Sequence, residues 1–178
     1  MENNQLKVEN LEIVKTGPYR FIGKSVYIGN KRGTEPFFDF TWKQSDWVFK
    51  ELDAIPEYAS DIPHNAELII WDKHYDDKSE LFGYYVGRFM KADTPVTKEA
   101  DLDYFDISEG YIAKVRHIGN RTKRHGIYAY KDDLVYNAIE ESGVYRAQHY
   151  IWAAEWFPEP DENGESFVWA YIPCEKIK

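Results

Sequence analysis

Two stretches of this chain carry the same strand-like pattern. Phe21-Ile22-Gly23-Lys24-Ser25-Val26-Tyr27-Ile28-Gly29 and Tyr111-Ile112-Ala113-Lys114-Val115-Arg116-His117-Ile118-Gly119 share an aromatic residue, an Ile, a Lys, a second Ile and a closing Gly at one offset. Both favour extended backbone and end at Gly, where a strand leaves a sheet. After the first, Phe38, Trp42, Phe49, Leu52 and Ile55 recur at helical spacing and predict a helix over 38–55, which Pro56 stops. After the second, Leu134, Val135, Ala138 and Ile139 form one apolar face and predict a helix over 132–142. Asp132 and Asp133 suit its N-terminus and Gly143 its C-terminal cap.

Each predicted helix is followed by two apolar runs. In the first half these are Leu68 to Trp71 and Leu81 to Phe89, joined by a polar stretch. In the second half they are Tyr150 to Phe157 and Phe167 to Ile172, with Pro158, Pro160 and Asn163-Gly164 marking the turn. The order β-α-β-β thus occurs twice, over about 10–90 and about 101–175, with Lys91 to Ala100 as a polar joint and Leu102 to Ile107 as an extra extended piece. Neither half buries a sheet face alone, so the pattern predicts one domain over 1–178. Its class is α+β: duplicated modules with antiparallel sheet, related by a pseudo-twofold, helices on one face and a ligand cleft at the seam.

Composition changes this picture in one respect. The chain holds 6 Trp, 14 Tyr and 10 Phe; a core can absorb many of these, but so many Tyr and Trp also suit a pocket for flat apolar ligands. The net charge of -9 argues against a direct nucleic-acid partner, whose binding needs a concentrated basic surface. The one basic stretch, Asn120 to Gly126, reads equally as a solvated loop. Cys174 is the single cysteine, so no intramolecular disulfide forms. The first ten residues are polar and no run is long enough to span a bilayer, so the expectation is a cytoplasmic protein with no membrane partner.

The acid that stands out is Glu155, set in the apolar run Ile151-Trp152-Ala153-Ala154-Glu155-Trp156-Phe157. Strand alternation puts it on a face with Ile151, Ala153 and Phe157. A carboxylate there faces a ligand, pairs with a cation such as Lys24 or Lys114, or lies on an exposed strand edge. No other catalytic set is visible. The five histidines show no metal-ligand spacing, and phosphate-binding, G-x-S-x-G and H-E-x-x-H motifs are missing, so no metal or cofactor is expected. Asp161 to Glu165 is too short for a calcium loop and reads as a hairpin turn.

Three motifs in this order, Gly83-Tyr84-Tyr85-Val86-Gly87, Ile107-Ser108-Glu109-Gly110-Tyr111-Ile112-Ala113-Lys114-Val115, and Ala154-Glu155-Trp156-Phe157 with Val168-Trp169-Ala170-Tyr171-Ile172-Pro173, resemble the GyrI-like, effector-binding family over roughly residues 10–175. The resemblance implies recognition of drug-like, aromatic and often cationic small molecules. It places Glu155 in a pocket between the two halves; from the residues themselves, Phe38, Trp42, Tyr85, Tyr111, Trp152, Trp169 and Tyr171 are the candidate ligand-binding neighbours as a group. The DNA-binding domain that many members carry at the N-terminus is not expected here. The leading expectation is a stand-alone sensing or sequestering protein. One alternative is a hydrolase of electrophilic xenobiotics with Glu155 as general base and Tyr171 or Tyr111 as hydrogen-bond donor. The other is an inhibitor module that binds a protein partner.

Overall fold

The computed structural model describes residues 7–29, 41–71, 81–96, 100–118, 134–149, 151–158, 162–163 and 167–178. Phe38, Asp132 and Asp133 and the basic stretch 120–126 lie outside them. Among the described residues the chain forms nine strands and two helices, an α+β architecture on antiparallel ladders, divided into two compact units. No described helix is long and apolar enough to cross a membrane.

One unit comprises 17–109 and 150–152. Its central strand β2 (Tyr19–Gly29) pairs with β4 (Leu81–Lys91) on one side and β5 (Asp103–Ile107) on the other, and β3 (Asn65–Ile70) pairs with β4. The order is β3-β4-β2-β5. Helix α1 (Ser45–Asp53) buries Val48 and Leu52, one turn apart, against Ile22 and Met90. Two such side chains contribute about 1.5–3 kcal/mol each. Arg88 on β4 fixes the helix over the sheet: its guanidinium donates to Asp53 Oδ1 on α1 at 2.8 Å and to Asn65 Oδ1 on β3 at 2.8 Å. Within the expected helix over 38–55, Thr41 and Trp42 are helical, a turn at Lys43 and Gln44 interrupts the helix, and α1 follows to Asp53; residues 38–40 lie outside the described residues.

The opposite face of this sheet is aromatic. Phe21 meets Phe89 edge-on at 5.0 Å and Tyr85 at 6.2 Å, while Tyr19 and Trp152 flank Phe89 at 5.7 and 6.0 Å. Each such pair adds about 0.5–1.5 kcal/mol beyond burial. Next to this cluster Gly23 and Gly87 stand directly opposite each other. A Cβ on Gly23 would sit 2.1 Å from the Val86 carbonyl oxygen, and one on Gly87 2.0 Å from that of Ile22. Only glycine permits this approach.

The other unit comprises 1–16, 110–149 and 153–178. Here β6 (Gly110–Ile118) pairs with β1 (Lys7–Thr16) and β9 (Phe167–Lys176), and β8 (Trp152–Trp156) pairs with β9, giving β1-β6-β9-β8. The short β7 (Tyr145–Ala147) pairs with the end of β9. Helix α2 (Leu134–Glu140) buries Val135, Tyr136 and Ile139 and lies by β1 and β7. Gly143 at φ +62 ends it, its N–H donating to the Glu140 carbonyl. The sequence pattern anticipates neither β1 nor β7. β1 hides because its register shifts between Val8 and Asn10, which breaks the alternation.

Candidate functional site: two buried carboxylates

Glu155 lies on β8 and is wholly buried. Its register partner on β9 is Ala170, which in turn faces Val115 on β6. The side chains of Ala113, Val115 and His117 on β6 and of Val168, Ala170 and Ile172 on β9 thus share its face, and all are buried. Within this apolar bed His117 Nε2 stands 3.9 Å from Glu155 Oε1, an ion pair whenever the imidazole is protonated. The expectation of an exposed strand edge is corrected by this burial. Lys24 is engaged elsewhere, bonded to Asp101 at 3.0 Å and to its carbonyl at 3.1 Å. A carboxylate among small and apolar neighbours is costly to keep ionised, which makes this a position where a cation is strongly attracted.

The second carboxylate is Glu67 on β3, 3% exposed. It pairs with Val86 and so lies on the α1 side of its sheet, on the face of Ile22 and Met90. Tyr84 donates its hydroxyl to Glu67 Oε2 at 2.6 Å. The Trp42 indole N–H reaches the same oxygen at 3.3 Å and the Tyr84 hydroxyl at 2.7 Å. Burial raises the Glu67 carboxyl from the usual 4.5 to about 7, and these two donors act the other way. The charged groups of the surrounding elements, Lys24 on β2 and Arg88 on β4, are bonded to Asp101 and Asp53. The sequence offered one clue to Glu67: Leu68 and Ile69 follow it on opposite faces, so the strand is buried on both and no outward position awaits the acid.

Neither a family model nor a curated protein matches this sequence. Solved structures do match the fold. An integron cassette protein from the mobile metagenome of Vibrio cholerae superposes with a TM-score of 0.55 at 14% identity, over 98% of this chain and 100% of that one. SAV2435 bound to tetraphenylphosphonium gives 0.60 at 9% identity, over 94% of each chain. EcmrR in its complex with DNA gives 0.54 at 13% identity, over 97% of this chain and 58% of that one. The chain has the GyrI-like effector-binding fold.

Within this GyrI-like fold the expected site residues divide. Trp42 stands beside a carboxylate, but that of Glu67. Tyr85 and Trp152 belong to the aromatic cluster on the face opposite Glu67. Trp169 and Tyr171 are on β9, and alternation about Ala170 points them away from the face of Glu155. Tyr171 is therefore not placed to donate to Glu155. Burial holds its hydroxyl up to about 12. Tyr111 shares the face of Glu155 but lies four residues along β6 from Val115, roughly 13 Å away at the usual strand rise. Its ring packs on Tyr145 at 5.3 Å. Among the described residues no three His, Cys, Asp or Glu come together to hold a metal ion.

Proposed function

We propose that this GyrI-like chain is a binding protein for aromatic, cationic, drug-like small molecules, acting by sensing or sequestration. The observation that carries this reading is Glu155, a wholly buried carboxylate whose cross-strand neighbour is the small Ala170. That SAV2435 was captured with tetraphenylphosphonium, a lipophilic aromatic cation, supports the ligand class. In one unit β2 precedes α1 and β3 and β4 follow it; in the other β6 precedes α2 and β8 and β9 follow it after the short β7, and we read these as two copies of one β-α-β-β module.

Titration with tetraphenylphosphonium, followed by calorimetry and tryptophan fluorescence, tests the reading. The wild-type chain binds the cation and releases it chemically unchanged, as mass spectrometry would show. In Glu155→Gln the shape is kept and the charge removed. A buried charge contact is worth about 1.5–3 kcal/mol, so affinity falls roughly ten- to a hundred-fold. A neutral aromatic of similar size holds its affinity. Equal weakening of both ligands, or of neither, would remove Glu155 from the site.

A further inference from the structure

His117 is a buried titratable side chain with no part in the ligand binding proposed above. It stands on β6 opposite Val168, while Glu155 stands on β8 opposite Ala170, so the two come from the strands on either side of β9. They meet across β9 on the face of Val168 and Ala170, with His117 Nε2 3.9 Å from Glu155 Oε1. The imidazole is 1% exposed and the carboxylate wholly buried. A bare negative charge is strongly disfavoured in such a bed, whereas one proton held between the two groups makes the pair neutral. At pH 6 an ordinary imidazole, which titrates at about 6.5, carries that proton.

The other titratable groups of the surrounding elements lie further off. On this face β6 carries Tyr111, six residues from His117, and β9 carries Cys174, four residues from Ala170, roughly 20 and 13 Å along the strands at the usual rise. β1 places Val8, Leu11 and Ile13 opposite His117, Val115 and Ala113, and its exposed Lys15 stands opposite Tyr111. On β7 Tyr145 packs its ring on Tyr111. On α2, which lies by β1 and β7, Tyr136 stacks on His149 at 4.0 Å and Glu140 stands 3.6 Å from the same imidazole. Lys114 and Arg116 alternate to the other face of β6, and Arg116 is bonded to Glu9 at 3.0 Å. Among these groups His117 is the one within ion-pair reach of Glu155.

We infer that His117 and Glu155 form a cation-for-proton exchange site, in which an arriving ligand cation replaces the proton that neutralises Glu155 in the free protein. This rests on the reading that Glu155 receives aromatic cations. Like-charge repulsion sets the direction. A positive ligand at the carboxylate and an imidazolium 3.9 Å from it place two cations in one apolar bed, and the proton is the one free to leave. The imidazolium gives an N–H proton to solvent and stays behind as neutral imidazole; no other bond changes. The bound state thus holds fewer protons than the free state, so affinity rises with pH and acid drives the ligand off. A neutral aromatic of similar shape has no charge to trade and releases no proton.

The test uses the full wild-type chain with tetraphenylphosphonium, and triphenylphosphine oxide as the neutral control. Calorimetry at pH 6 in buffers of different ionisation enthalpy counts the protons released. Proton NMR follows the His117 ring, assigned as the resonance that His117→Gln lacks. The cation should release about one proton per molecule bound, and the His117 ring should pass from its protonated to its neutral shift on saturation. The neutral control should do neither. Affinity for the cation should rise about ten-fold for each pH unit over which a full proton is released. If His117→Gln does not fold, assignment of the wild-type spectrum through the backbone identifies the ring instead. Binding with no proton released, a His117 shift that stays constant, or equal release by the neutral control would overturn the exchange and leave Glu155 as a simple cation site. No binding of the cation between pH 6 and pH 8 would overturn the reading of Glu155 as a ligand site, and the exchange with it.

Discussion

Replacing Glu67 by Gln should make the protein more stable, and only at higher pH. The folded chain holds the Glu67 proton up to about pH 7, against 4.5 for an ordinary glutamate, chiefly because burial disfavours the charged form. At 1.36 kcal/mol per unit, the difference of about 2.5 units corresponds to about 3 kcal/mol. The sign follows from proton counting. Between pH 4.5 and 7 the folded chain binds more protons at this position than the unfolded chain, so stability falls as pH rises through that window. Below it the contribution vanishes, and above it the full cost is present. The amide in Glu67→Gln has no proton to lose; its carbonyl still accepts from Tyr84 and Trp42, and any cost of its NH2 group is the same at every pH. Urea unfolding followed by tryptophan fluorescence at pH 4 and pH 8 gives the comparison. The stability of the variant relative to wild type should rise by about 3 kcal/mol from the lower to the higher pH, with unchanged denaturant slopes. A difference independent of pH would show that Glu67 is ionised normally and that the burial argument fails.

Two further outcomes are expected. Gly23→Ala and Gly87→Ala should each cost several kcal/mol, because the new methyl meets a carbonyl oxygen at about 2 Å, whereas Gly143→Ala, with nothing within 4 Å, should cost about 1 kcal/mol from its positive φ alone; thermal melts rank the three. Cys174 is buried and its thiol is pushed up to about 11 by desolvation, against a backbone hydrogen bond from Ala113, so a thiol reagent at pH 8 should label it only in denaturant; rapid labelling of the native protein would contradict its burial.

The legible parts of this fold were those with local pattern. The strands around Phe21, Leu68, Tyr84, Tyr111, Ala154 and Val168 alternate or run apolar over several residues, and the structure has a strand at each. β1 was not legible because a bulge breaks its alternation and its partner is remote, and β7 because three residues carry no period. For the site, Glu155 stood out as a charge in an apolar run, and its burial follows from the same run. Which rings surround it did not follow. The face of Trp169 and Tyr171 depends on how β9 registers against β8. Glu67 was missed because a Glu beginning an apolar strand looks like a polar lead-in. Its burial becomes visible only when Trp42 and Tyr84 arrive from two other elements.

The pairing of β1 has a consequence for how the protein is made. β1 leads into β2 through Gly17, whose φ of +92 and close packing on Glu109 turn the chain, yet its own ladder is with β6. That partner lies about a hundred residues further on, a separation that slows folding. At about 5–20 residues per second a ribosome exposes β1 for several seconds before β6 exists. During that interval the strand is an open edge. Its exposed Glu12 and Lys15 are the kind of charges that keep such an edge from joining the wrong neighbour. Nascent chains in which both are made apolar should therefore aggregate during synthesis while the purified, refolded protein keeps its fold.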